Sequence, residues 1–339
     1  MNTLFVTTQG AYLNKDGSTV AVSVEGAVRL QLPIHTISGI VCFGNVAMSP
    51  FLMGFCADND VTITFLTEYG KFLARVHGKT HGNVLLRREQ YRKADDLVFC
   101  ARLSRNFIIG KVANAKTVLQ RALRDHSDKI CSRDVKFAVS RLAGILSMLS
   151  RECDLETLRG IEGDAARIYF DVFDHLILHQ KESFVFEQRN RRPPRDNVNC
   201  LLSFLYTLLA HDVRSALEGV GLDSYVGFMH RDRPGRPSLA LDVMEEFRPC
   251  FADRLLLSLI NRGQVSPKGF QKSESGAVLM TDETRKDLLT AYQARKQEEI
   301  MHPFLKENVK IGILFHVQAM MLARLLRGDI DDYPPFFWR

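Results

Sequence analysis

The stretch "GFMHRDRPGRPSLALDVMEEFRP", residues 227–249, places His230 before a glycine-proline loop and three acids, Asp242, Glu245 and Glu246, after it. An imidazole nitrogen combined with carboxylate oxygens is a donor set that suits manganese or magnesium and leaves positions open for water and phosphate oxygens. The plainer reading is a turn followed by a solvated amphipathic helix. In that helix Ser238 is the expected cap and Leu239, Val243 and Phe247 the apolar side, with Asp242 on one face with Glu245 and Glu246.

Two further stretches carry chemistry. In "LRGIEGDAARIYFDVFDHL", residues 158–176, Glu162 sits between Gly160 and Gly163 at the expected start of a long helix. Glycines there would admit another backbone or a ligand close to the carboxylate; alternatively, Glu162 and Asp164 simply complement the helix dipole. In "EQRNRRPPRDNVNCLLSFLY", residues 187–206, Arg189, Arg191, Arg192 and Arg195 crowd around Pro193-Pro194 before a helix that Asp196 would cap. Guanidinium groups bond phosphate oxygens bidentately, so this loop is either a phosphate-contacting element or a solvated connection between helices. Arg231, Arg233 and Arg236, flanking His230, are candidates of the same kind. Two other patterns carry less. "HLILH" spaces His175 and His179 by one helical turn but lacks the glutamate of a zinc-protease helix, which favours packing. "DIDDYPPFFWR" has acids without calcium-loop spacing and reads as aromatic packing or partner docking.

The elements that must position these residues fall into two textures. From Thr3 to about Gly78 the chain reads as short β-rich runs, with Asp16-Gly17 as a hairpin turn and "SPFLMGFCADND" as one short helix capped by Ser49. After Gly82, apolar residues recur every three or four positions over 97–123, 133–150, 155–180, 197–218, 238–261, 283–297 and 303–327. The segment "HGKTHGNVLLRREQYRK" between them reads as a linker entering a helix. The expected fold class is therefore α+β: a small N-terminal β-sheet or sandwich domain over 1–82, then a larger all-α domain over 83–339 that carries the site.

Composition limits the alternatives. With 339 residues, 46% of them hydrophobic, the chain can bury a sizeable core without disulfides, and its seven scattered cysteines form no CxxC pair. That pattern points to reduced thiols and a cytoplasmic protein, and away from a structural zinc site. No apolar run approaches the roughly 20 residues of a membrane span. The net charge of +6 is mild, so a polyanionic partner is argued from the arginine clusters rather than the sum. No helix-turn-helix with a basic recognition helix is evident, which disfavours a transcription regulator.

Taken together and in this order, "RGIEGDAARIYF", "RPPRDNVNCLLSFLY" and "GFMHRDRPGRPSLALDVMEEFRP", after a β-rich N-terminal domain, resemble the CRISPR-associated integrases of spacer acquisition, the Cas-one family, over nearly the whole chain. The arginine loop and the "YPPFFWR" ending look most like subtype I-C. The resemblance implies a Mn2+- or Mg2+-dependent DNA integrase and endonuclease. It would join prespacer 3′-hydroxyls to phosphodiesters of the CRISPR repeat by transesterification. It also implies metal ligands at Glu162, His230 and Glu245, with Asp242 beside them as a supporting acid and Glu246 left at the surface. The resemblance also implies that aspartate is common in the family at the position where this chain has Glu245. The resemblance further implies a homodimer formed through the β domains, with two such dimers flanking a dimer of the small partner Cas-two along prespacer DNA. Two alternatives stand beside it: a general metal-dependent nuclease for branched or double-stranded DNA, and a non-catalytic DNA-binding scaffold.

Overall fold

The β-rich runs of the first part of the chain form β1 (Thr3–Val6), β2 (Tyr12–Asp16), β3 (Thr19–Val24), β4 (Ala27–Pro33), β5 (Gly39–Phe43), β6 (Ala47–Met48), helix α1 (Pro50–Asp58), β7 (Thr62–Leu66) and β8 (Phe72–Val76). The computed structural model describes residues 2–70, 72–76, 78 and 84–338. The expected linker at His77 and 79–83, with the boundary at Gly82, lies outside the described residues.

One sheet has the order β1-β5-β7-β8 and the other β4-β3-β2-β6. The first pairs β1, β5 and β7 in parallel, and all five residues of β5, "GIVCF", are buried, as expected of a central parallel strand. In the second, Asp16 pairs with Thr19 across the β2–β3 hairpin, and Gly17 takes a positive φ of 56° at its turn. Leu13 and Val20 of one sheet and Ile40 and Ile63 of the other meet in one core with Leu52 and Cys56 of α1. Ser49 caps α1 by accepting the Leu52 N–H at 3.2 Å.

The remaining chain forms α2 (Val84–Asp95), α3 (Leu97–His126), α4 (Ser132–Met148), α5 (Leu155–Asp171), α6 (Asn197–Gly219), α7 (Ser238–Met244), α8 (Arg254–Asn261), β9 (Phe270–Lys272), β10 (Val278–Met280), α9 (Asp282–Gln297), β11 (Glu299–Met301), β12 (Asn308–Lys310) and α10 (Ile311–Arg327). Side-chain caps start four of these helices: Asp96 for α3, Asp154 for α5, Thr281 for α9 and, as expected, Asp196 for α6. Helix α3 is the spine of the helical unit, with α4, α5 and the segment after α7 packed along it. Among the described residues no helix is long and apolar enough to cross a membrane.

The structure departs from the sequence reading in several places. By internal contacts the chain divides into Met1–Gly82 with Met280–Glu298, and Asn83–Leu279 with Glu299–Arg339. Helix α9 thus groups with the β unit, where Lys296 Nζ reaches Thr3 Oγ1 at 3.3 Å and Gln297 reaches Asn2 at 2.6 Å. The helix expected over 155–180 ends at Asp171 and becomes a short 3-10 turn, Phe173–Leu176. There Phe173 stacks edge-on against Phe186, whose N–H donates to Asp174 at 2.9 Å. The helix expected over 303–327 starts at Ile311, because residues 299–310 form the β11–β12 ribbon.

The helix expected over 238–261 is interrupted. Ser238 does not cap it; its hydroxyl instead lies 3.4 Å from the Arg231 carbonyl. Regular winding stops after Met244 and resumes at Arg254, with a π-helical turn over Arg248–Asp253. Pro249 has no N–H to give to the helical ladder, and π turns of this kind recur at functional sites. Glu245 lies at the start of this interruption.

Candidate functional site

Three stretches of the helical unit converge on one cation. Lys111, in the middle of α3, ion-pairs with Glu162 Oε1 on α5 and lies 2.7 Å from Glu245 Oε2 just past α7. On the other side of Glu245, Oε1 pairs with Arg248 at 2.9 Å. Glu245 is 2% exposed, Lys111 11% and Glu162 26%, so the group is a recess whose open side is at Glu162. A buried charge is held only if it is paired. Burial works against the charge on Glu245, but Arg248 and Lys111 outweigh it, with a contribution from His230, and hold the carboxyl at about 2. Burial likewise opposes the Lys111 ammonium, and Glu245 and Glu162 overcome it, keeping the ammonium above the ordinary lysine value.

His230 enters from the preceding loop and is fixed by Asp242. The Asp242 carboxylate, fully buried, accepts the N–H groups of Phe228 at 2.7 Å, Met229 at 3.0 Å and His230 at 3.0 Å. Its Oδ1 also lies 2.6 Å from His230 Nδ1. A carboxylate already accepting three N–H groups is an acceptor, so Nδ1 donates to it and Nε2 is left with its lone pair as the ring's ligand atom. Gly227 makes this close wrapping possible, since a Cβ there would lie 2.8 Å from Asp242 Oδ2 and 2.8 Å from Ser238 Cβ.

The donor set fits a hard divalent cation. Two carboxylates face a place that already selects positive charge, and Glu245 Oε2, though near the ammonium, is a buried oxygen without a well-directed hydrogen bond; the His230 ring nitrogen and these two carboxylates do not all lie within 4.8 Å of one another. Glu162 stands in the middle of α5 rather than at its start. Among the described residues a Cβ at Gly160 or Gly163 would meet nothing within 4 Å, so no described backbone outside the helix uses the room these glycines leave.

Glu246, expected at the surface, is fully buried and points away from its neighbour Glu245's ion pairs. It accepts from Tyr333 Oη at 2.7 Å, the Phe336 N–H at 2.6 Å and Gln318 Nε2 at 3.2 Å. Helical winding lost after Met244 accounts for this: the two glutamates no longer follow one solvated face. The C-terminal aromatic segment is therefore packed within its own chain. Asn114 of α3 bonds both the Glu246 and Phe336 carbonyls, and Gly110 lets the segment approach, since a Cβ there would lie 2.9 Å from Glu246 Cγ and 3.3 Å from Pro335 Cβ.

The arginines divide. Arg189 is tied down by Asn199 Oδ1 at 2.6 Å and Ser203 Oγ at 3.2 Å, and its guanidinium lies 5.3 Å from the centre of the Tyr206 ring. It is built into the loop rather than offered to a ligand. Arg191, Arg192, Arg195 and Arg233 are exposed and Arg236 is half-buried, while exposed Arg231 pairs with Glu156 at 2.8 Å. Of the "HLILH" pair, His179 lies against Gly263, whereas His175 sits 3.5 Å from Asp134, which also accepts from Cys131 at 3.0 Å. Cys131 and Asp134 are exposed and His175 is partly exposed, and the three satisfy one another.

Lys111 is absent from the residues expected by sequence. The available signal was its place on the apolar stripe of α3, one turn after Phe107 and one before Ala115, where a lone cation must meet a buried anion.

The architecture, a β unit joined to a helical unit that gathers these groups, defines a fold class with solved members. A Cas1 protein from Thermotoga maritima aligns over 96% of this chain and 97% of its own, with a TM-score of 0.80 and 24% identity. A casposase bound to integration product aligns over 100% and 95%, with a TM-score of 0.85 and 21% identity. The sequence profile described as CRISPR associated protein Cas1 matches residues 4–294. CRISPR-associated endonuclease Cas1 1 of Chlorobaculum tepidum is 57% identical over 100% of this chain and 99% of its own, and CRISPR-associated endonuclease Cas1 2 of Rhodospirillum rubrum is 51% identical over the same shares. The chain belongs to the Cas1 family of CRISPR-associated endonucleases and integrases.

Proposed function

We propose that the chain is a divalent-metal-dependent DNA integrase of CRISPR adaptation that joins the 3′-hydroxyls of prespacer DNA to phosphodiesters of the CRISPR repeat. The observation that carries this reading is the recess in which Glu162 and Glu245, from separate elements, share one cation. Mn2+ or Mg2+ would be held by Glu162, Glu245 and His230 Nε2. When bound, the ion supplies Lewis-acid polarisation of the attacked phosphate and offsets the charge that builds on its oxygens.

The chain's own residues do the positioning. Asp242 fixes the tautomer and direction of His230. Arg248 neutralises the inner oxygen of Glu245, so that carboxylate stays ionised although buried. Arg191, Arg192, Arg195, Arg233 and Arg236 are the phosphate-contacting candidates, and Arg231 joins them by exchanging Glu156 for a phosphate. In the reaction one P–O bond forms to the incoming 3′ oxygen, whose proton is released. One P–O bond to the repeat's 3′ oxygen breaks, and that oxygen takes up a proton. Phosphodiesters are conserved in number, so no nucleotide cofactor is required.

Relatives of 57% and 51% identity described as CRISPR-associated endonucleases support the reading, as does the fold shared with the product-bound casposase. A solved Cas6-RT-Cas1–Cas2 complex, 36% of whose aligned chain shares this fold, supports Cas2 as a partner. A homodimer paired through its β units in the prokaryotic cytoplasm completes the proposal. The test is incubation with Cas2, a short duplex and supercoiled CRISPR-array plasmid in Mn2+ or Mg2+. Covalently joined products that vanish in Glu162→Gln and His230→Ala are expected. Shortened fragments alone would instead establish a nuclease.

A further inference from the structure

Lys111 occupies the place that the proposed ion needs. Its ammonium touches both carboxylates that would bind metal, and at 2.7 Å from Glu245 Oε2 it covers the one oxygen of that buried carboxylate not taken by Arg248. Without metal the count of charges is balanced, two carboxylates against Lys111 and Arg248. Adding a divalent ion beside an unmoved ammonium would place like charges in contact within a recess that excludes most water, where Coulomb repulsion is far stronger than in bulk solvent.

The way out for Lys111 is the open side of the recess at Glu162. The neighbouring cavity of about 30 Å³ is lined by Arg248 as well as Lys111 and is mostly apolar, so it suits at most one water and not the ammonium. Arg248 lacks that way out. It is half-buried, with its guanidinium held to Glu245 Oε1 at 2.9 Å and packed 5.0 Å from the centre of the Tyr206 ring. Of the two cations, Lys111 is the one able to yield, because its four-carbon stem has rotational freedom that a stacked guanidinium lacks.

We propose that Lys111 is a placeholder for the metal: it holds Glu162 and Glu245 together before the ion arrives, competes with it, and withdraws when it binds. This rests on the metal site proposed above. As a positioning residue, Lys111 would set how much free metal is needed to arm the site and keep the metal-free protein folded around buried Glu245 and half-buried Glu162.

Mn2+ binding to the protein without DNA, followed by electron paramagnetic resonance of the free ion, tests this with two variants of opposite expected sign. Lys111→Met keeps the length of the side chain and removes the competitor, so the Mn2+ dissociation constant should fall at least tenfold. Its metal-free melting temperature should drop, and saturating Mn2+ should restore it. Lys111→Arg keeps the charge on a group too large to withdraw, so Mn2+ should bind at least tenfold more weakly. If the Met variant folds only with Mn2+, the placeholder role is supported; if it fails to fold in either condition, the Arg variant decides. Wild-type affinity in the folded variants, alongside loss of binding in Glu245→Gln, would overturn the placeholder role and leave the metal site standing. If wild type binds no Mn2+, or binds it undiminished in Glu245→Gln, the site reading fails and this inference with it.

Discussion

His230 Nδ1 lies 2.6 Å from Asp242 Oδ1, and the same carboxylate accepts the backbone N–H groups of Phe228, Met229 and His230. Asp242 is thus both the anchor of the loop and the orienter of the ring it carries. Asp242→Ala would leave buried N–H groups without partners, at about 1–3 kcal/mol each. For a domain of this size about 1 kcal/mol corresponds to roughly 2–4 °C in melting temperature. Calorimetry should therefore show Asp242→Ala melting at least ~5 °C below wild type, with strand transfer lost. His230→Ala should lose strand transfer equally while melting within a few degrees of wild type. Equal melting temperatures for the two variants would remove the anchoring role.

Arg189 and its loop neighbours should separate by salt dependence. Neutralising a phosphate-contacting arginine lowers the slope of log affinity against log salt by about 1. Arg191→Ala, Arg192→Ala and Arg195→Ala, all exposed, are expected to weaken duplex binding in this way without changing stability. Arg189→Ala should leave the salt slope unchanged and lower the melting temperature, because it strips bonds from Asn199 and Ser203. Fluorescence anisotropy over a salt series, paired with thermal melts, distinguishes the two outcomes.

Much of this was legible in sequence because it depends on local rules. Ser49, Asp196 and the Asp16-Gly17 turn act within a few residues of themselves, and their elements begin where the residue types predict. The acids of the 227–249 stretch were also visible, but their division of labour was not. Asp242 and Glu246 are set by contacts with Phe228 and Phe336, and Glu245 by Lys111, more than 130 positions upstream. Helical spacing predicted a shared face for the three acids, and the loss of regular winding after Met244 ends that face. The ribbons at β9–β10 and β11–β12 have strands of three residues, too short for a period-2 pattern to register.

The thiols should react in order of exposure. Cys131 is exposed and Cys153 partly so, whereas burial pushes Cys42 up to about 12 and Cys56 and Cys100 up to about 11. At pH 8 those three are protonated and enclosed, and the thiolate is the reactive form. Brief iodoacetamide treatment of the native protein, read by peptide mass spectrometry, should modify Cys131 first and leave Cys42, Cys56 and Cys100 intact until the chain is unfolded. Early modification of Cys42 would contradict the packing of the β core.

Glu246 should make the protein less stable as pH rises. Its burial pushes the carboxyl up to about 8, even though Tyr333, the Phe336 N–H and Gln318 all donate to it and favour the ionised form. An unfolded glutamate releases its proton near its ordinary value of 4.5. Below that pH both states are protonated and the group is neutral in its effect. Between about 4.5 and 8 the unfolded chain has lost a proton that the folded chain retains, so each pH unit removes up to roughly 1.4 kcal/mol of stability. Above about 8 the loss is complete and the buried carboxylate is charged. Melting temperatures from pH 5.5 to 8.5 should therefore decline in wild type, and the decline should flatten in Glu246→Gln, which cannot ionise. The C-terminal segment should loosen along with it, since Glu246 holds both Tyr333 and Phe336, and limited carboxypeptidase digestion should shorten the wild-type chain faster at pH 8.5 than at pH 6. A wild-type profile as flat as that of the variant would show that Glu246 is already ionised in the folded protein.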